Sequence, residues 1–130
     1  MTRILGIGGV FFKSEDPKKL KDWYVKNLGF ESDQEGYIIF WQWEREMLKR
    51  RGYTLWGPFP RDTKYFKPSE KPFMINFMVD DLDAILAKLK EKDVEVDNHI
   101  EEHEEGRFCW FMDPEGNRVE LWEPPLVQED

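Results

Sequence analysis

The pattern that most restricts this chain is a unit that occurs twice. Val10-Phe11-Phe12-Lys13-Ser14-Glu15-Asp16-Pro17 leads into an amphipathic run ending at Leu28-Gly29-Phe30. Asn76-Phe77-Met78-Val79-Asp80-Asp81-Leu82 leads into another, ending near Asp93-Val94. Each reads as an apolar strand, an aspartate at the helix cap, a helix of about three turns and a second strand. In the first helix Pro17 suits the N1 position, and Leu20, Tyr24 and Leu28 form an i, i+4, i+8 stripe with Trp23 beside it. Gly29 is a natural stop. In the second, Leu82, Ile85, Leu86 and Leu89 give i, i+3, i+4, i+7 spacing, with Lys88, Lys90, Glu91 and Lys92 outside. Both stripes read as core. Strand-like segments follow each helix, over 37–43 and 53–59 in the first half and over 94–96, 107–112 and 118–122 in the second. The expected organisation is one domain over 1–130, with βαβββ modules at 1–66 and 72–125 and a Pro/Lys-rich linker over 66–72. A unit that leaves one sheet face bare pairs with its twin to bury it.

The second module ends in a clear hairpin. Asp113-Pro114-Glu115-Gly116-Asn117 is turn chemistry: Pro114 presets φ, Asp113 can accept from backbone amides ahead of it, and Gly116 can take a positive φ. Behind the turn, Val119 and Leu121 fall on one strand face while Arg118, Glu120 and Trp122 fall on the other. Glu120 is thus a lone carboxylate between apolar neighbours.

Composition limits the partners. A net charge of −8 argues against nucleic acid or an anionic membrane, and Lys49-Arg50-Arg51 is too short a basic run to reverse that. It reads as a solvated loop. Cys109 is the only cysteine, which rules out an intramolecular disulfide and suits a reducing compartment. Charges interrupt every hydrophobic stretch, so no signal peptide or membrane span is expected, and a soluble, cytoplasmic protein is. Ten Phe, six Trp and four Tyr supply both a core and, where they face a cavity, a ligand surface.

Three stretches together resemble one family over almost the whole chain. They are the terminal hairpin, Asp16 followed by Trp23-Tyr24 and Leu28-Gly29-Phe30, and Val79-Asp80-Asp81-Leu82-Asp83. Their order and spacing are similar to the vicinal oxygen chelate superfamily, which includes glyoxalase I, bleomycin-resistance proteins and extradiol dioxygenases. The resemblance implies an α+β fold in which paired βαβββ modules form a curved half-open barrel with helices outside. On that scaffold the cup is expected to be lined by aromatics such as Trp41, Trp43, Trp56, Trp110 and Trp122. The position of Glu120 is one that faces the cup and usually holds a metal. The superfamily runs many chemistries, so the resemblance does not select a reaction.

A divalent metal on this scaffold needs several His, Glu or Gln side chains converging with open positions for substrate. The family draws them from the first and last strands of each module. Here those positions read Gly8-Gly9, Leu55-Trp56-Gly57 and Phe73-Met74-Ile75, none with a ligand, and only Glu120 matches. No cofactor is therefore expected, with a metal completed across a dimer interface as the alternative. His99 and His103 stand four apart among glutamates, but in a segment expected to be strand and hairpin loop, where a solvated acidic loop outweighs a surface metal site. Cys109 alternates between Phe108 and Trp110 and reads as a packed thiol rather than a nucleophile. Gly6-Ile7-Gly8-Gly9 lacks the helix a dinucleotide site requires. Asp62-Thr63 most simply caps a turn. Glu120 itself has two readings, a buried general base with raised pKa or a salt-bridge partner of Arg118 or Arg107.

Two functions follow. One is a metal-free binder of a small apolar or aromatic molecule, as bleomycin-resistance-like members are. The other is a lyase/isomerase- or dioxygenase-type enzyme using Glu120. The resemblance also implies a homodimer, and the abundance of aromatics on a short chain suits an apolar patch that a second copy covers. Light scattering at tens of micromolar is expected to return twice the chain mass; a monomer removes the expectation.

Overall fold

The computed structural model describes residues 2–28, 30–41 and 52–126. Its elements run β1 (Ile4–Ser14), α1 (Pro17–Leu28), β2 (Ile38–Trp41), β3 (Tyr53–Pro60), β4 (Phe73–Val79), α2 (Leu82–Glu91), β5 (Glu101–His103), β6 (Gly106–Met112) and β7 (Arg118–Glu123). The strands form one sheet in the order β2-β3-β1-β4-β7-β6-β5, curled into a half-barrel. The same pattern appears in each half. Strand β3 lies parallel to β1 as β7 lies parallel to β4, and β1 joins β4 antiparallel at the centre. The α+β architecture expected from the sequence holds.

Strand alternation sorts the side chains onto two faces. Register places Phe11 opposite Met74 and Gly57, Asn76 opposite Glu120, and Glu120 opposite Trp110, all on the inner face. The outer face carries Phe77, Val79, Cys109 and Leu121, and α2 covers it. Leu82 and Leu86 seat on Val79, Cys109 and Leu121, with Ile85 and Leu89 at the margin. The second helical stripe is core, as its spacing implies. Asp81 caps this helix, its Oδ1 accepting from the Ala84 amide at 3.0 Å. Asp16 caps α1 in the same way, accepting from the Lys19 amide at 3.1 Å.

Helix α1 is held more thinly. Tyr24 packs on Trp56 with ring centroids 4.6 Å apart, but Trp23, about 100° around the helix from it, is 53% exposed. Trp23 is therefore not core, a correction to the first stripe.

Further departures have local causes. The strand expected at 94–96 is a single bridge, Val96 to Phe111. Asp97 then accepts the His99 amide on its side chain at 3.0 Å, and this turn carries the chain off the ladder. Pairing resumes at β5, so Glu101–His103, expected to be loop, forms the charged edge strand. Phe66, expected in the linker, is instead 1% exposed and packs with Phe11, Met74 and Trp110. Gly29, Lys49-Arg50-Arg51 and positions 42 and 43 of the expected 37–43 strand lie outside the described residues. No helix among the described residues is long and apolar enough to cross a membrane.

The two helices give a direct contrast. Leu86→Ala is expected to cost about 2–5 kcal/mol in urea unfolding, the range for a large-to-small core change. Trp23→Ala is expected to stay within about 0.5 kcal/mol, as exposed substitutions do. Comparable losses for both would contradict this packing.

Candidate functional site

Four strands bring one residue each to a row across the inner face. Leu55 of β3 registers with Gly9 of β1, Gly9 with Asn76 of β4, and Asn76 with Glu120 of β7. Strand β1 shifts register against β4 between Ile7 and Gly9, leaving Gly8 as an extra residue in a bulge. A Cβ on Gly8 would lie 2.1 Å from Asn76 Oδ1 and 2.9 Å from a carbon of the Trp122 ring. The amide and the indole occupy the room that a side chain would take.

Glu120 is 2% exposed. Its Oε2 accepts from the Tyr65 hydroxyl at 2.5 Å and from the Trp110 indole N–H at 2.8 Å. Its Oε1 accepts from Asn76 Nδ2 at 2.6 Å. All three donors are neutral. Burial pushes the Glu120 carboxyl above its ordinary range, an effect that these hydrogen bonds and the charge of Arg118 offset only in part. Burial and the neighbouring Glu120 charge likewise push the Tyr65 phenol upward, so Tyr65 keeps its proton and donates it.

Arg118 aligns two of these donors without pairing with the carboxylate. Its guanidinium lies 4.8 Å from the Trp110 ring centroid, donates to the Tyr65 carbonyl and sits 3.7 Å from Asp97. Arg107 instead pairs with Asp83 at 3.0 Å and Glu102 at 3.5 Å. Neither salt bridge considered for Glu120 forms, because both cations are taken up by carboxylates elsewhere.

A cavity of about 370 Å³ opens above this row. One wall stacks Trp122 on Phe108 with centroids 6.0 Å apart, and Tyr53 leans on Trp122 at 4.8 Å. The opposite wall stacks Phe59 on Tyr65 at 5.6 Å. Asp33, Glu35 and Glu105 also line it. Burial, then the negative charges of Glu105 and Asp33, push the Tyr53 phenol up to about 12.

Of the tryptophans expected in the cup, Trp122 lines it. Trp110 lies on the inner face but backs Glu120, its N–H spent on the carboxylate and its ring beneath Arg118. Trp56 is corrected: it points to the outer face, 5.3 Å from Phe12 and 5.4 Å from Phe30. The side chain of Trp41 and all of Trp43 lie outside the described residues. Cys109 is buried in the core, its thiol pushed up by burial. His103 and His99 both turn to Glu101, at 2.9 and 3.9 Å. Thr63 holds the Tyr65 amide at 3.2 Å, so the Asp62-Thr63 turn presents Tyr65.

Asn76 and Tyr65 escaped the sequence reading. An amide inside the apolar run Phe73–Val79 is a signal, since a buried polar group demands a partner. Tyr65 gives only a weak one, an aromatic in a loop otherwise rich in Lys, Arg and Pro. The structure also corrects the family position on the first strand of module two. Asn76, beyond Phe73-Met74-Ile75, is the residue in register with Glu120.

The row does not fit a divalent metal. Gly8, Gly9 and Leu55 offer no donor, the Asn76 nitrogen faces Glu120, and both Glu120 oxygens already accept hydrogen bonds. Among the described residues no group of three or more His, Cys, Asp or Glu side chains is placed to hold a metal ion.

Residues 6–121 match the model of the Glyoxalase/Bleomycin resistance protein/Dioxygenase superfamily. No curated protein matches the sequence. Among solved structures, a methylmalonyl-CoA epimerase in complex with methylmalonyl-CoA and NH4+ is 18% identical with a TM-score of 0.68, covering 98% of this chain and 100% of its own. A Streptomyces coelicolor methylmalonyl-CoA epimerase variant in complex with 2-nitronate-propionyl-CoA is 18% identical with a TM-score of 0.67, covering 94% and 99%. An NAD-dependent benzaldehyde dehydrogenase from Legionella pneumophila is 16% identical with a TM-score of 0.58, covering 89% and 97%. At such identities the likeness shows the fold alone.

The raised carboxyl has a consequence for stability. Above its ordinary value of 4.5 the unfolded chain releases a proton that folded Glu120 still holds, so this group's contribution falls as pH rises through the folded value. Glu120→Gln removes that titration and keeps the shape. Its carbonyl can accept from Tyr65 and Trp110, and its amide can face Asn76 with that side chain turned over. Thermal melts from about pH 4 to about pH 8 are expected to show the variant gaining on the parent as pH rises. A gap that does not change with pH would contradict a buried, burial-raised carboxyl.

Proposed function

The chain belongs to the Glyoxalase/Bleomycin resistance protein/Dioxygenase superfamily, and on that basis we propose that it binds a small apolar or aromatic molecule in its cup without a metal. The observation that carries this reading is the environment of Glu120. Its oxygens take three neutral donors at 2.5–2.8 Å, at the base of an aromatic-walled cavity. That arrangement leaves the carboxylate as a polar anchor. The two walls offer flat surfaces on which a ring can stack, and burial of such a ring supplies most of the affinity.

A second reading has one observation in its favour. A carboxylate raised by burial, with a phenol hydroxyl in contact, is the pairing of base and proton donor that isomerase or lyase chemistry uses. Under that reading a ligand leaves the cup chemically changed; under the first it leaves unchanged.

The test uses protein dialysed against a mild chelator. Elemental analysis is expected to find less than about one tenth of a molar equivalent of Zn, Ni, Mn or Fe. Tryptophan fluorescence is then followed against aromatic metabolites, glutathione adducts and glycopeptide-type antibiotics, with bound material identified by mass spectrometry on release. For a ligand anchored on Glu120, Glu120→Gln is expected to lower affinity by ~1.5–3 kcal/mol, the range for a hydrogen bond to a charged group. Near-stoichiometric metal lost in Glu120→Ala overturns the metal-free reading, and a panel without saturable change counts against the binder.

A further inference from the structure

Glu120 lies at the base of the cup, yet little of it meets the cup. It is 2% exposed, and both of its oxygens are taken by donors. Asn76 is as deeply buried, with one end of its amide on Glu120 and the other enclosed over Gly8. Trp110 is buried too and spends its indole N–H on the carboxylate. Tyr65 completes the network and differs from the rest: it lines the cavity at 38% exposure. What this network offers to a molecule in the cup is therefore offered by Tyr65.

The side chain is accessible, but its position is fixed. Thr63 Oγ1 accepts from the Tyr65 amide at 3.2 Å, Arg118 donates to the Tyr65 carbonyl, and the next residue, Phe66, is anchored in the inner core. The Tyr65 ring stacks on Phe59 at 5.6 Å and stands perpendicular to Trp110 at 6.2 Å, with the Arg118 guanidinium 5.9 Å from its centroid. A side chain held on so many sides loses little freedom when a ligand meets it.

The direction of its hydroxyl follows from the partners of Glu120. Oε2 accepts from Tyr65 at 2.5 Å and from the Trp110 indole at 2.8 Å, and an indole nitrogen only donates. When Glu120 is ionised, both of its oxygens accept. When it is neutral, the proton belongs on Oε1, because the Asn76 amide can turn over there and offer oxygen in place of nitrogen. Oε2 accepts in both forms, and Tyr65 keeps its own proton. The phenol O–H thus points to Glu120 in either state and leaves its lone pairs for the cup. A hydroxyl that donates into a carboxyl group is polarised into a better acceptor.

We propose that Tyr65 reads the polar group of the ligand, and that the cup prefers flat rings carrying a neutral N–H or O–H donor, of the indole or phenol kind. The donor meets Tyr65 Oη at the cavity floor, and the ring lies between the Trp122–Phe108 and Phe59–Tyr65 walls. Glu120 is a positioning residue in this arrangement, since it sets the direction of the hydroxyl. A ring whose only polar atom is an acceptor sets lone pair against lone pair and forgoes the contact. This rests on the cup being a small-molecule site and assigns its polar contact to Tyr65.

The test is calorimetric titration of the full chain with indole, with benzofuran, which has oxygen in place of the N–H, and with 1-methylindole. Indole is expected to bind about five- to tenfold tighter than either of the others, the yield of about one net hydrogen bond. Tyr65→Phe keeps the wall and removes the oxygen, and is expected to bring indole to within about twofold of benzofuran with benzofuran itself unchanged. Glu120→Gln still accepts from Tyr65 through its carbonyl and is expected to retain the preference for indole. Benzofuran or 1-methylindole binding the parent protein as tightly as indole overturns the assignment and leaves the cup a binding site, whether or not a variant folds. An indole preference that survives Tyr65→Phe, or that vanishes in a folded Glu120→Gln, overturns it too, because the donor then meets a carboxylate directly. No saturable heat from any probe overturns this inference together with the aromatic-binder reading.

Discussion

A carboxylate sits near the middle of the sheet with no cation against it. Taking Glu120 out of water costs several kcal/mol unless its oxygens are met by donors, and here the donors come from three separate parts of the chain. Asn76 lies on β4, Trp110 on β6, and Tyr65 on the segment between β3 and β4. They must arrive together, since each leaves a buried group unsatisfied when absent. The 61–68 segment therefore folds down onto the sheet, with Phe66 inserted beside Met74 and Trp110. Arg118 binds the Tyr65 carbonyl and covers the Trp110 ring. The polar network and the inner core share their supports.

Sheet topology decides what meets Glu120. The antiparallel join of β1 and β4 places the Gly8 bulge next to Asn76, and the parallel pairing of β4 with β7 places Asn76 next to Glu120. On a scaffold whose relatives are known for metal sites, those positions here carry glycine and an amide. Glycine gives volume and the amide gives a hydrogen bond, so the geometry that would gather ligands around an ion gathers donors around a carboxylate. The cup is a product of what the centre of the sheet lacks as much as of what it holds.

The sequence exposed the parts of this that local rules govern. Asp16-Pro17 and Asp81-Leu82 mark helix starts because capping and a fixed φ are short-range effects. The alternation of β7 correctly separated Glu120 and Trp122 from Val119 and Leu121. Alternation does not say which of two faces is concave, and for that reason the sequence alone does not keep Trp56 out of the cup. It lies on even parity in β3, where the inner residues are Leu55, Gly57 and Phe59, whereas in β6 and β7 the inner residues are even. Only register across β1 and β4 fixes that relation. Tyr65 meets Glu120 across 55 positions of chain, a contact with no periodic trace. The displacement of β5 to Glu101–His103 depends on one Asx turn at Asp97, too small a signal to outweigh the apolar Val94 and Val96.

Stability and affinity act on the same charge with opposite sign. An ionised Glu120 weighs against the fold, because burial favours its neutral form. A ligand that donates a hydrogen bond to the ionised carboxylate would lower the Glu120 pKa, and by linkage its binding would strengthen as pH rises through the raised value. An arginine paired with Glu120 would remove the penalty. Arg118 supplies the intermediate arrangement: it lies close enough to orient Tyr65 and Trp110, while its charge is directed to Asp97. Functional sites keep a local cost of this kind when the surrounding structure can bear it. Here the surrounding structure is the inner core packed beneath Tyr65 and Trp110.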